Sequence, residues 1–313
     1  MVPSDSRKAF AFPVFARGAL HAAGTPLLPV EDLGFQLGLA VFETLLVERD
    51  HVYFEAAHGA RLEAAAKALG IPWVGAAALN QALHSLRRQI ARLSGAPERY
   101  AMRVTLSAGV PGAEPELILQ ARTPAPLDPS GVALWISGQR LPADACSALK
   151  STNRLRYTWA LREAAAQGAY EALLLNTAGE LAEGSFSNVF LFADGKLRTP
   201  PLSSGCLPGI LRAQLVEVLE REPLVLEDGR SVELCLEPLP PSVLEQAEEL
   251  FLTNSIGRLI PVRRILESGQ PARELPAAPG PLLLALAKRL SDLEELDRQA
   301  APGGYTGDPA LPS

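Results

Sequence analysis

Hydrophobic positions recur along this chain with two periods. Between residues 55 and 69, Leu62, Ala65, Ala66 and Leu69 fall at helical spacing, and a second helix is predicted over residues 75–93. Residues 41–47 form an apolar run of strand formers, and residues 12–20 read as a strand pair turning at Arg17-Gly18. Residues 102–107 and 116–120 predict two further strands, joined through the Gly- and Pro-rich turn 109–115. Pro124, Pro126 and Pro129 then crowd the stretch 122–131, where they resist helix and sheet alike, so an interdomain linker is predicted there.

A second block follows. It predicts a strand at 132–137, a helix over 152–167, and short strands at 171–176, 180–183 and 188–192. Their turns are Thr177-Ala178-Gly179 and Asp194-Gly195. A helix at 210–220, a strand at 249–253 and a helix near 282–296 complete the core, and the Gly- and Pro-rich tail of 299–313 is expected to be disordered. Hairpin and crossover strands mixed with helices predict an α/β (α+β) protein with domains at 1–121 and 132–298.

Composition narrows the function. A length of 313 residues at 48% hydrophobic and 20% charged is enough for two buried cores. The net charge of -6 offers no basic surface for a phosphate backbone, and 6% aromatic residues give few stacking platforms, so no nucleic-acid partner is expected. Cys146, Cys206 and Cys235 stand far apart with no C-x-x-C. His21, His51, His58 and His84 make no ligand pair with them. Neither a disulfide scaffold nor a metal site is expected, which fits a reducing compartment. No apolar stretch reaches the roughly 18 residues that span a bilayer. Residues 9–16 follow Arg7-Lys8 but are interrupted by Pro13, so they read as a strand and not as a leader. A cytoplasmic protein without membrane contact is expected.

Lysine is scarce, which shortens the search for a catalytic amine to Lys8, Lys67, Lys150, Lys196 and Lys288. Lys67 follows Glu63 at ion-pair spacing, Lys196 follows a hairpin turn, Lys8 lies in the N-terminal arm, and Lys288 adjoins Arg289 on an acid-rich helix. Lys150 differs: Ala145, Cys146, Ala148 and Leu149 approach it, and Ser151-Thr152-Asn153 read as N-cap residues for the next helix. Apolar surroundings and a helix N-terminus both disfavour an ammonium, so a lowered pKa and a nucleophilic amine are expected. A plain surface lysine beside a helix is the competing reading. Glu183, amid Leu181, Ala182 and Gly184, needs a cation or N–H partner to stay charged, unless it faces water from an edge strand. Pro208-Gly209 opens a helix whose free N–H groups suit a phosphate, although such starts are common. Arg61, in HGARL, is a second phosphate candidate, unless it pairs with nothing.

Taken in order, five stretches resemble the class IV (fold type IV) pyridoxal-phosphate enzymes, a family that includes branched-chain and D-amino-acid aminotransferases and 4-amino-4-deoxychorismate lyase. They are DLGFQLGLAVFETLLV (32–47), HGARLEAAAKALGI (58–71), KSTNRLRYTWALREAAAQGAYEALLLNTAGELAEGSFSNVF (150–190), TPPLSSGCLPGILR (199–212) and ELFLTNSIGRLIPV (249–262). The resemblance implies a smaller N-terminal α/β domain, a larger C-terminal mixed-sheet pseudo-barrel that binds the cofactor, and a homodimer. It implies pyridoxal 5'-phosphate in Schiff-base linkage to Lys150 and Glu183 facing the pyridine nitrogen. Arg61, the backbone of Gly209, Ile210 and Leu211, and the Ser255 hydroxyl would hold the phosphate. Leu207 would pack on the ring, and Ser187 and Asn188 would lie with the cofactor contacts. The chain departs from the family at Leu33, Leu39, Ala40 and Leu211, the last removing a hydroxyl near the phosphate.

Within the family, the K-x-x-N-R pattern from Lys150 to Arg154, Phe42-Glu43-Thr44 and Thr253-Asn254-Ser255 are similar to aminodeoxychorismate lyases. The segment 108–114 lacks the R-x-H carboxylate trap of D-amino-acid aminotransferases. Arg103 is a candidate for a bidentate substrate carboxylate, against the alternative of a strand-surface arginine. Asn254, Phe42 and Arg154 are further candidate substrate contacts. The resemblance therefore implies a lyase making 4-aminobenzoate and pyruvate for folate synthesis, with a small-molecule substrate. A branched-chain or D-amino-acid-type aminotransferase is the alternative, and a non-catalytic binding protein on the same scaffold is a third.

Overall fold

The computed structural model describes residues 11–276 and 278–300. Lys8 and the expected tail beyond Ala300 lie outside the described residues. The first sheet joins β1 (Val14–Ala16), β2 (Ala19–His21), β3 (Ala40–Glu48), β4 (His51–Val52), β5 (Arg99–Ser107) and β6 (Glu116–Arg122) in the order β2-β1-β6-β5-β3-β4. All its pairings are antiparallel. Alternation sorts β3 into two faces. Val41, Leu45 and Val47 join Tyr100, Met102, Val104 and Leu106 of β5 in one core, and Phe42 and Thr44 point to the other side.

Three helices accompany this sheet: the short α1 (Leu33–Leu37), α2 (Glu55–Ala68) and α3 (Ala76–Ala91). α2 buries His58, Leu62, Ala65 and Ala66, and α3 buries Leu79, Ala82, Leu83, Leu86 and Ile90. Both stripes follow the 3.6-residue period and close over the same face of β3 and β5. Each fully buried Leu or Ile here contributes about 1.5–3 kcal/mol relative to exposure. Asp32 caps α1 by accepting from the Phe35 N–H at 2.9 Å, and Ser107 Oγ donates to Asp32 at 2.7 Å. α1 ends at Gly38 with φ 67°, where a Cβ would sit 2.1 Å from Asn153 Oδ1, so only glycine fits.

The second sheet begins after the irregular stretch that follows Arg122. It contains β7 (Val132–Leu141), β8 (Glu171–Asn176), β9 (Leu181–Gly184), β10 (Asn188–Ala193), β11 (Lys196–Thr199), β12 (Leu224–Val225), β13 (Ser231–Leu236), β14 (Glu249–Asn254), β15 (Arg258–Leu266) and β16 (Arg273–Glu274). Its order is β12-β13-β11-β10-β14-β15-β7-β8-β9, with β16 on β15. The β11–β13, β15–β7 and β7–β8 pairings are parallel, so the sheet is mixed. The turn Ser185-Phe186-Ser187 carries β9 straight back to β10, and Gly184 N–H donates to Ser187 O at 2.7 Å. The six strands β10, β14, β15, β7, β8 and β9 thus come round into a ring. β8 is buried at every residue because Leu173 and Leu175 face one core while Ala172 and Leu174 face another.

Helix α4 (Leu155–Ala166) packs Ala160 and Ala164 against the second of these cores. α5 (Ile210–Arg221) and α6 (Pro281–Ala300) share a third core, with Phe190 and Phe251 stacked at 5.2 Å. The structure departs from the sequence reading at four places. The helix expected over 152–167 starts at Leu155, and its N-cap is Arg154, which makes no capping bond through its side chain. Residues 145–148, read as an apolar approach, form an exposed 3-10 turn capped by Asp144. β13 and β15 were not expected, because charged residues interrupt their apolar pattern and Pro261 lies inside β15. α6 also runs to Ala300, two residues into the expected tail.

Candidate active site

Lys150 is held by the edge of the other sheet. Its carbonyl accepts from Phe42 N–H at 2.8 Å, Thr152 N–H donates to Ala40 O at 2.9 Å, and Ser151 bridges Val41. Thr152 Oγ1 and Asn153 Nδ2 both donate to Gly38 O, at 3.1 and 3.2 Å. Ser151, Thr152 and Asn153 therefore fasten the lysine to β3 and cap no helix. The amine lies 4.9 Å from the Phe42 ring and makes no hydrogen bond or ion pair among the described residues. Burial, with Arg61 and Arg154 adding to it, pushes its pKa down to about 8, while Glu43 and Glu183 pull the other way. The lowered pKa expected for Lys150 is present, with desolvation as its largest cause and two guanidiniums adding to it.

Beside it lies a charged cluster on the helix-facing side of β3. Glu43 accepts from Arg61 Nε and Nη2, both at 2.6 Å, and from His58 Nδ1 at 2.7 Å. Burial works to raise the Glu43 pKa, but the Arg61 and His58 bonds outweigh it and hold the carboxyl at about 2. His58 is wholly buried, and that burial lowers its pKa despite Glu43. His58 Nε2 lies 3.2 Å from Ser255 Oγ, and Arg61 Nη1 donates to Pro208 O at 2.7 Å. So α2 reaches both the β14–β15 turn and the entrance of α5. Arg61 has five N–H donors and spends three here, leaving two free.

The start of α5 is the third side of this corner. Gly209 is its N-cap without a side-chain cap bond, so the N–H groups of Ile210, Leu211 and Arg212 have no partner within the helix. A Cβ on Gly209 would fall 1.9 Å from Asn188 Oδ1, and Asn188 Nδ2 donates to Leu207 O at 2.9 Å. Asn188 thereby shapes the approach to α5. Leu207 is half-buried, and its N–H donates to Glu183 Oε2 at 2.9 Å.

Glu183 is buried in β9 and does not face water. Tyr157 of α4 donates its hydroxyl to Glu183 Oε1 at 2.9 Å. Burial still raises the Glu183 pKa above its ordinary value, against those two donors and the cations Arg154 and Lys150. Arg154 lies 3.5 Å over the Tyr157 ring and donates to Ser185 O. Ser187 turns away from the corner, donating to Glu171 Oε1 at 2.9 Å, where Phe186 N–H also arrives at 2.7 Å. Glu171 Oε2 is buried without a partner, and burial pushes its pKa up to about 8.

Among the candidate substrate contacts, Phe42 and Arg103 lie together, the guanidinium 3.6 Å over the ring. Arg103 donates to Thr105 Oγ1 at 3.3 Å and has no acid partner among the described residues. Burial, then Arg154 and Arg122, push its pKa down to about 10. Asn254 spends its Oδ1 inside the turn, accepting from Ile256 and Gly257 N–H at 3.0 and 2.7 Å. The structure thus gathers Lys150, Arg61, Glu183, Leu207, Ser255 and the start of α5, with Phe42, Arg103 and Arg154 alongside. Sequence reasoning missed Glu43, His58, Tyr157 and Glu171 as site residues. An acid inside an apolar strand was the available signal for Glu43 and Glu171, and none pointed to Tyr157.

The chain matches the family model for amino-transferase class IV over residues 40–265. A probable branched-chain-amino-acid aminotransferase of Thermotoga maritima is 37% identical across 50% of this chain, a match that spans 53% of that relative's length. A putative branched-chain-amino-acid aminotransferase of Methanocaldococcus jannaschii is 32% identical, covering 75% of this chain and 82% of its own. The aminodeoxychorismate lyase of Bacillus subtilis is 28% identical over 81% and 87%. Among solved structures, the 4-amino-4-deoxychorismate lyase of Pseudomonas aeruginosa superposes with a TM-score of 0.73 at 29% identity, covering 89% of this chain and 98% of that one. A hypothetical aminotransferase from Mycobacterium tuberculosis in its PLP-bound form does so at 0.75 and 26%, covering 91% and 99%. With the family model spanning most of both sheets, the chain belongs to the class IV aminotransferases.

Proposed function

We propose that this chain is a pyridoxal-phosphate-dependent lyase converting 4-amino-4-deoxychorismate to 4-aminobenzoate and pyruvate. Residues 132–298 would act as the cofactor-binding domain of a cytoplasmic homodimer. No helix of the described residues is long and apolar enough to cross a membrane. Exposed Phe35, Leu37, Leu155 and Trp159 support a face covered by a second copy. The corner fits the cofactor by its donor chemistry. The open first turn of α5 and the two free N–H groups of Arg61 suit a phosphate dianion. Glu183 suits a protonated pyridine nitrogen, since a cation opposite it favours the ionised carboxylate that burial disfavours. When bound, the cofactor supplies an aldehyde for amines and a ring that spreads negative charge.

The chain's own groups then divide the work. The Lys150 amine, unpaired among the described residues and with its pKa lowered to about 8, would hold the aldehyde and, when free, would take the proton from the carbon bearing the substrate amine. The observation that favours the lyase is the pair Arg103 and Arg154, which feel each other's charge and form no ion pair among the described residues. Aminodeoxychorismate carries two carboxylates, whereas a branched-chain amino acid carries one. An aminotransferase is the second reading, favoured by the identity to the Methanocaldococcus relative. It shares every cofactor contact.

The purified protein is to be incubated with aminodeoxychorismate and, separately, with amino acids plus 2-oxoglutarate. Release of 4-aminobenzoate is expected, and transamination without it would sink the lyase. Lys150→Ala is expected to lose the borohydride-fixed link to the cofactor and to slow turnover roughly 10²–10⁴-fold. The proton-abstraction step should quicken as pH rises through about 8, where the amine becomes free.

A further inference from the structure

The hydrogen-bond chain Glu43–His58–Ser255 has a protonation consequence. Glu43 is ionised and accepts from His58 Nδ1, so a neutral His58 carries its proton on Nδ1 and leaves Nε2 bare. The Ser255 hydroxyl, 3.2 Å away, then has only one role: it donates to Nε2. A phosphate arriving between Ser255, Arg61 and the start of α5 would meet the hydroxyl's lone pairs and not its proton. Two acceptors would face each other. If the hydroxyl turns its proton to the phosphate, Nε2 is left facing an oxygen lone pair unless it gains a proton of its own.

We infer that His58 takes up a proton from solvent when a phosphate group docks at this corner, so that Ser255 is released to donate to the phosphate. His58 is thereby a positioning residue for the ligand. The inference rests on the phosphate placement proposed above. In the loaded state an imidazolium stands between the Glu43 carboxylate and the phosphate, and each anion favours it. No heavy-atom bond changes: one proton moves from water to Nε2, and the Ser255 O–H rotates.

The groups facing His58 allow this. Glu43 comes from β3, Arg61 and Glu55 from its own helix, and Lys150 from the segment on the β3 edge. From α3 and β5, the apolar Leu79, Leu83 and Val104 line the cavity beside His58. Arg61 and Lys150 oppose the proton in the free protein, and the phosphate dianion would offset both.

The test uses the full chain, freed of cofactor and labelled with ¹⁵N-histidine, whose four histidines are resolved by His58→Gln. Inorganic phosphate and pyridoxamine 5'-phosphate, which cannot form a Schiff base, are the probes. His58 Nε2 is expected to read as a bare nitrogen without ligand and as N–H at saturation, at pH 7.5. Calorimetry in two buffers should show about one more proton taken up than by His58→Gln. Ser255→Ala should bind pyridoxamine 5'-phosphate roughly 10-fold more weakly and leave Nε2 bare, and it carries the test if His58→Gln does not fold. Saturable binding with an unchanged His58, or an Nε2 already protonated in the free protein, overturns the inference while the phosphate site stands. If neither probe binds, the site and the inference fall together.

Discussion

Glu43 and Glu171 are both wholly buried on strands, one in each sheet, yet they titrate in opposite directions. Glu43 is held at about 2 and Glu171 is pushed up to about 8. Burial acts the same way on both. The difference lies in the partners: Glu43 receives three bonds from Arg61 and His58, whereas Glu171 receives only Phe186 N–H and the Ser187 hydroxyl. At Glu171 two neutral donors do not offset the cost of burying the charge, and at Glu43 a guanidinium together with His58 does. One carboxylate is thus part of an ionic cluster, and the other is a neutral acid bracing the turn that closes the ring.

Glutamine substitution separates the two most sharply. Glu43→Gln strands the Arg61 charge in a buried site and is expected to destabilise the fold by about 3–5 kcal/mol in urea titrations at pH 7. The folded pKa of Glu43 lies below its ordinary value, so its stabilisation is complete above about 4.5 and disappears as pH falls toward 2. Glu171→Gln should do the reverse. Between pH 4.5 and about 8 the unfolded chain ionises Glu171 while the folded chain keeps it protonated, so the wild type loses stability across that window. The variant should match the wild type near pH 4.5 and exceed it by about 4 kcal/mol at pH 8. Equal losses for both variants would erase the distinction.

Smaller changes refine it. Glu183 stands between the two cases, with Tyr157 as its hydroxyl donor. Tyr157→Phe should cost about 1 kcal/mol and raise the Glu183 pKa further, visible as an altered pH dependence of cofactor absorbance. Lys67→Ala removes an exposed ion pair with Glu63 and should change stability by less than about 0.5 kcal/mol.

Much of this fold was legible in the sequence, for local reasons. The stripes of α2 and α3 and the apolar run of β3 announce themselves by period, because one face of each is buried. β15 did not, since Arg258, Arg263 and Arg264 break its apolar pattern while Ile260, Val262 and Ile265 supply its core contacts. At the site, Lys150 stood out by scarcity and Glu183 by its apolar neighbours. Ser151, Thr152 and Asn153 misled: the side chains that suit a helix cap equally suit binding to a neighbouring strand edge, and only the three-dimensional partner distinguishes the two. Tyr157 and His58 act through residues distant in sequence, which no spacing rule reaches.

The fastening of Lys150 to Ala40 and Phe42 also bears on the order in which the protein comes apart. The lysine follows a strand of the second sheet, but its position depends on an edge belonging to the first. A fluctuation that parts the sheets scatters the reactive amine from Arg61 before either core melts. Occupancy therefore becomes a gauge of docking: cofactor colour should fade at lower denaturant than helical signal does. Conversely, a ligand present at a thousand times its dissociation constant would clamp the halves together by about 4 kcal/mol.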